Sequence, residues 1–179
     1  MKKLVIVIIA IFGVMSFSSC KKNKIVADYP ALKKTKNITE YISIDEAYDI
    51  FFLNDDRKYI ITLGYQSCQW CQTAIRYIND IALEKGYEKT YYLDIKELNA
   101  DESSTKYDKY LDLLLMIERD IKMSIKAVPT VIVVENGKVI AFHEKTVEGH
   151  EKIDGVLPSL SDSQIIELKK YIEVSFSII

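Results

Sequence analysis

The sequence predicts an α/β domain with one central mixed β-sheet and helices on both of its faces. Three observations predict it. From residue 38 onward, β-favouring runs alternate with helical stripes. The runs at 59–63 and 90–95 enclose a helical segment long enough for a crossover, which makes them a parallel pair. Asn136-Gly137 is the strongest short hairpin signal in the chain, so antiparallel strands join the sheet at one side.

The elements follow in order. Ile38 to Ile42 alternates apolar and polar residues like a short strand. Ser43 and Glu46 form a capping box, after which Ala47, Ile50 and Phe51 give helical spacing that Asn54-Asp55-Asp56 ends. Tyr59 to Leu63 is a continuous β-favouring run, as a strand covered on both faces requires. Gly64-Tyr65-Gln66-Ser67 then leads into Cys68-Gln69-Trp70-Cys71, and Ile75, Ile78 and Ala82 continue as one helical stripe up to the stop at Lys85-Gly86. Thr90 to Ile95 reads as the next strand, and residues 101–123 as a long amphipathic helix. Val128-Pro129-Thr130 opens the strand Val131–Val134, whose hairpin partner is Lys138–Phe142. A second capping box, Ser161 and Gln164, starts a terminal helix with Ile165, Leu168, Ile172 and Phe176 on one side.

Composition bounds the function. A chain of 179 residues, 49% hydrophobic and 28% charged, has enough polypeptide for one well-buried core and is cramped for two. With 24 Lys and Arg against 26 Asp and Glu it lacks the basic excess that a phosphate backbone demands, which excludes nucleic acid as a partner. The N-terminus reads as a targeting segment. Lys2 and Lys3 form a basic start, an apolar stretch follows from Leu4, and Ser16 to Cys20 closes it. The uncharged stretch is 17 residues, short of the ~20 that a spanning helix needs. Ser18-Ser19-Cys20 resembles the lipobox of bacterial lipoproteins, with Phe17 where Leu is usual. The resemblance implies cleavage after residue 19, a lipid on Cys20 and a membrane anchor. Residues 20–37, carrying six lysines from Lys21 to Lys36, read as a flexible tether, and residues 38–179 as the domain.

The chemistry lies in the cysteine pair. Cys-x-x-Cys at a helix start brings two sulfurs within bonding reach. Cys68 faces unpaired backbone N–H groups and the positive end of the helix dipole, which favours its thiolate. Cys71 sits one turn in and is more shielded. Cys68 therefore attacks or is attacked, and Cys71 resolves the mixed disulfide. Zinc sites use the same spacing but need two further ligands. The candidates, His143 and His150, are seven apart, match no common zinc pattern, and read as solvated surface. A purely structural disulfide is the other alternative, yet so short a loop constrains the unfolded chain little.

Two blocks carry a resemblance to the thioredoxin family over residues 38 to 175: Cys68-Gln69-Trp70-Cys71 after its buried strand, and Ile125–Val139 with its Val128-Pro129-Thr130 and Asn136-Gly137. The resemblance implies a thioredoxin fold, here with an extra helix inserted before the strand that follows the cis proline. It implies that Pro129 is cis and faces the cysteines, that Val128 presents its backbone to an extended substrate, and that Thr130 lies at the edge of that surface. Trp70 and Tyr65 are expected on an apolar rim around Cys68, with core packing an equal alternative for Tyr65. Gly64–Cys71, Tyr91–Asp94 and Gly137–Glu148 resemble the lipid-anchored thioredoxin-like proteins of Gram-positive bacteria, some called bacteriocin transport accessory proteins. There are departures. Gln69-Trp70 is an unusual dipeptide, Thr62 stands where thioredoxin has a buried proton-accepting Asp, and Arg76 replaces a helix-kinking proline.

The expected function is a membrane-anchored, extracytoplasmic thiol–disulfide oxidoreductase without a diffusible cofactor. Its partners would be protein dithiols and disulfides together with a redox partner protein. The competing class is a non-catalytic accessory module of a secretion or bacteriocin export system, with a structural or regulatory disulfide.

Overall fold

The computed structural model describes residues 24–53 and 55–176. The expected signal segment 1–19 and the lipidation candidate Cys20 lie outside the described residues. Five strands form one sheet: β1 (Thr39–Ile42), β2 (Lys58–Gly64), β3 (Thr90–Asp94), β4 (Thr130–Glu135) and β5 (Lys138–Glu144). Their spatial order is β1-β3-β2-β4-β5. β3 runs parallel to both β1 and β2, and β4 runs antiparallel to β2 and β5. This is the mixed sheet expected, with the thioredoxin fold's parallel crossover and terminal hairpin. The hairpin turns at Asn136 (φ 49°) and Gly137 (φ 71°), both left-handed as a two-residue turn of this hand requires.

Besides a helical stretch at residues 24–28, the described residues place four α-helices on the sheet: α1 (Ile44–Ile50), α2 (Gln69–Glu84), α3 (Thr105–Ile121) and α4 (Asp162–Phe176). Period-two alternation sorts the core. Tyr59, Ile61 and Leu63 of β2 join Ile132 and Val134 of β4 under α1 and α3. Ile60, Val131 and Val133 face the other way, under Ala74, Ile78 and Ala82 of α2 and Leu168 and Ile172 of α4. Both expected capping boxes form. Ser43 Oγ accepts from the Glu46 N–H at 3.2 Å, and the Glu46 carboxylate accepts from the Ser43 N–H at 2.9 Å. Ser161 and Gln164 repeat the exchange at the start of α4. Between β3 and β4 lies α3, which Ser104 caps and left-handed Lys122 ends.

One boundary differs from expectation. The stretch read as a tether is packed from residue 24: residues 24–28 are helical and Pro30–Lys34 form a 3₁₀ turn. Ile25, Tyr29 and Leu32 are fully buried and cluster with Cys68, Cys71, Ile75 and Tyr92. The lysines that suggested solvent flank an apolar stripe at positions i, i+4 and i+7, and burying that stripe outweighs the solvated charges around it. The packed domain thus begins before residue 38.

Candidate active site

β2 ends at Gly64, and the chain turns through Tyr65–Ser67 before α2 begins. The Cys68 N–H bonds Tyr65 O at 3.1 Å and closes the turn. Cys68 is the N-cap of α2 and its Sγ accepts from the Cys71 N–H at 3.1 Å, so the first sulfur takes one of the helix's free donors. Cys68 and Cys71 are joined in a disulfide with their Cα atoms 5.2 Å apart. The two sulfurs differ in access: Cys68 is 4% exposed and lines a cleft, whereas Cys71 is 1% exposed and faces the interior.

The cleft has a volume of about 510 Å³. One wall is the segment before β4. The Val128–Pro129 peptide is cis, and Val128 O lies 3.9 Å from Cys68 Sγ. Glu144 of β5 holds this wall from behind, its carboxylate accepting from the Lys126 and Ala127 N–H groups. Thr130, expected at the edge of the substrate-facing surface, is fully buried instead. Its hydroxyl donates to Ala127 O at 2.6 Å, so it braces the loop from beneath. Pro129 is likewise buried, while Val128 is half-buried at the cleft.

Trp70 and residues 145–151 form the opposite wall. The Trp70 indole N–H donates to His150 O at 2.8 Å, and Lys152 Nζ lies 5.4 Å above its ring. Tyr65 and Trp70 both line the cleft with Cys68, and both pack against the buried cluster behind it, Tyr65 against the main core as well.

The histidines, read from sequence as solvated surface, are turned inward. His150 is buried, with Nε2 donating to Pro158 O at 2.9 Å and Nδ1 bonded to Thr146 Oγ1 at 2.8 Å. A carbonyl can only accept, so Nε2 carries a proton, while Nδ1 and the Thr146 hydroxyl share the second hydrogen bond. His143 donates from Nε2 to Thr146 O at 2.9 Å and stacks on Tyr171. Desolvation lowers the His143 pKa below its ordinary value. Thr146 thus links both rings, and the carbonyl of His150 holds Trp70. Among the described residues, no three His, Cys, Asp or Glu converge into a metal-binding group.

Behind Cys71 lies a tyrosine cluster. The Tyr29 hydroxyl donates to Tyr92 Oη at 2.6 Å, with both rings fully buried. Tyr41 packs edge-on against Tyr92 and donates to Asp28 Oδ2 at 2.8 Å. Burial above all raises the pKa of all three phenols. Gln72 of α2 ties the N-terminal segment to the active-site turn, its Nε2 donating to Asp28 O and Gln66 O at 3.0 and 2.8 Å. Gly64 makes room for the arrangement, since a Cβ there would lie 2.2 Å from Tyr92 Oη and 2.9 Å from Cys71 Sγ. Thr62, in register with Tyr92 across the parallel pair, is buried on β2.

Sequence reasoning missed Glu144, Thr146, Tyr29 and Tyr92. Tyr92 had a local signal: strand alternation puts it and Thr62 on the face that α2 covers. Glu144 and Thr146 lie in the Gly137–Glu148 stretch that carries a resemblance, but nothing in it points to their contacts, because their partners lie in loops whose path the sequence does not specify.

No protein-family model and no curated protein matches the chain. Among solved structures, the chain is similar to thioredoxin O2 from Arabidopsis thaliana in the oxidised state, with 13% identity and a TM-score of 0.45 over 80% of this chain and 98% of that one. It is also similar to thioredoxin f2 of Chlamydomonas reinhardtii, with 12% identity and a TM-score of 0.41 over 59% of this chain and 82% of that one. Fasciola hepatica thioredoxin gives 16% identity and a TM-score of 0.39 over 60% and 83%.

Proposed function

We propose that this protein is a thiol–disulfide oxidoreductase that exchanges electrons with protein dithiols and disulfides through Cys68 and Cys71. One observation carries the reading: a disulfide at the N-cap of a helix, its first sulfur on a cleft and its second enclosed. A partner thiolate entering the cleft meets only Cys68. Once the bridge opens, the Cys71 N–H and the start of α2 stabilise negative charge on the Cys68 sulfur. The Val128 backbone and the Trp70 ring flank that sulfur and are the surfaces an extended substrate would touch. Exchange needs no diffusible cofactor, because the electrons travel in the sulfur–sulfur bonds.

On this reading the protein works outside the cytoplasm, held to the bacterial membrane by a lipid on Cys20 after loss of residues 1–19. The support is the sequence: a basic start, an apolar stretch and Ser18-Ser19-Cys20. Its kinship would then be with the lipid-anchored thioredoxin-like proteins, including the bacteriocin transport accessory type, and its redox partner would be another protein dithiol.

The test is turnover by the full chain. Reduced protein is expected to reduce insulin disulfides, and Cys68→Ser to abolish the reaction. If both forms are inactive in reduction and in oxidative refolding, the accessory-module reading takes its place. Fatty-acid labelling of the chain in cells should disappear in Cys20→Ser; persistent labelling there would refute the anchor.

A further inference from the structure

Cys71 faces a buried hydroxyl pair that the exchange reaction has not yet used. Gly64 lies between them: the one point a Cβ would occupy is 2.2 Å from Tyr92 Oη and 2.9 Å from Cys71 Sγ, so oxygen and sulfur share one small space. Tyr29 spends its own proton on Tyr92 Oη at 2.6 Å, which leaves the Tyr92 proton to point away from Tyr29. The space is otherwise closed by Ile25, Leu32 and Ile75. A charge appearing on Cys71 in so apolar a site would be costly without a donor.

Resting on the exchange reading above, we infer that the Tyr92 hydroxyl is the hydrogen-bond donor to the Cys71 thiolate, with Tyr29 of the N-terminal segment as its positioning residue. The step balances. A substrate thiolate attacks Cys68 Sγ, the substrate–Cys68 bond forms, the Cys68–Cys71 bond breaks, and its electron pair leaves on Cys71 Sγ. Tyr92 turns its O–H toward that sulfur and keeps its proton. The second substrate thiolate then attacks the substrate sulfur of the mixed disulfide. Substrate leaves oxidised, and the enzyme is left as the reduced pair. In reverse, the same bond raises the thiolate fraction of Cys71 and speeds its attack on a mixed disulfide at Cys68. Burial holds the pKa of both tyrosines well above the ordinary value, so the donor stays protonated through the neutral range. The Tyr29 bond polarises the Tyr92 O–H and strengthens it as a donor. The N-terminal segment is therefore part of the redox site.

The experiment follows Cys71 by NMR in reduced full-length protein carrying ¹³Cβ-cysteine, with Cys68→Ser used to assign the signal. Tyr92→Phe should move the Cys71 titration up by about one pH unit, the scale of a lost charge-assisted hydrogen bond. Closure of a glutathione mixed disulfide on Cys68 should slow about three- to fourfold at pH 7, because the roughly tenfold loss of thiolate is partly offset by the greater nucleophilicity of the more basic sulfur. Tyr29→Phe should shift both in the same direction by less. Unchanged titration and closure in folded Tyr92→Phe would overturn the inference. Should that variant not fold, an unchanged Cys71 titration in Tyr29→Phe would overturn it instead. The titration needs no substrate, so its failure is separable from a failure of exchange itself, which would appear as a wild type that forms no mixed disulfide.

Discussion

Cys68 and Cys71 stand three residues apart in one helix start, yet their surroundings have little in common. Cys68 caps the helix and looks into a cleft walled by peptide groups, Trp70 and the 145–151 loop. Cys71 looks into a sealed cluster of Ile25, Tyr29, Leu32, Ile75 and Tyr92. The helix start supplies charge stabilisation on the first side, and phenolic hydroxyls supply it on the second. The contrast teaches that a Cys-x-x-Cys pair divides its labour by access, and that both halves depend on chain remote in sequence.

The largest expected effect breaks the division outright. Cys71→Ala should leave partners trapped as mixed disulfides on Cys68, visible as bands that collapse on reduction, while Cys68→Ser should trap none. Equal trapping by the two would mean that access does not separate the sulfurs. Next comes removal of residues 24–37, which strips the cover from the Cys71 side. Burial of Ile25, Tyr29 and Leu32 contributes ~1.5–3 kcal/mol each, so the shortened chain should lose several kcal/mol in urea unfolding. Gly64→Ala puts a methyl group between Tyr92 and Cys71 and should cost about 1–3 kcal/mol by the same measurement.

Smaller effects sharpen the Cys68 side. Trp70→Phe removes the indole bond to His150 O and should cost about 1 kcal/mol, with faster amide exchange in residues 145–151. Burial lowers the His143 pKa from 6.5, so the unfolded chain binds this proton more readily than the folded one. His143 therefore imposes no cost above about pH 6.5, and its penalty grows as pH falls below that. The tyrosines on the other side, with raised pKa values, stay neutral across that window. Urea midpoints read between pH 7.5 and 5.5 should fall toward acid, and His143→Gln should flatten the slope.

Much of this was legible in the sequence because it is written in short periods. Two-residue alternation in β2 and β4, the helical stripe from Cys71 to Ala82, two capping boxes and Asn136-Gly137 each specify local structure without reference to distant residues. The N-terminal segment was misread for the opposite reason. Its lysines dominate the composition, while the stripe of Ile25, Tyr29 and Leu32 acquires meaning only when β3 presents Tyr92 to it. The two histidines and Thr130 were placed at the surface because their buried partners are carbonyls and hydroxyls of loops. Backbone acceptors leave no trace in residue type, so side chains that bond to them look solvated until the loop's path is known.

The central claim is that Cys68 and Cys71 form a reversible two-electron couple. Equilibrating the full chain against glutathione buffers and counting alkylated thiols by mass tests it directly. The account predicts a gain of both thiols together, with a midpoint between about −120 and −270 mV, the range of exchange-active pairs at helix starts. A bridge still closed below about −300 mV, where structural disulfides lie, would contradict it.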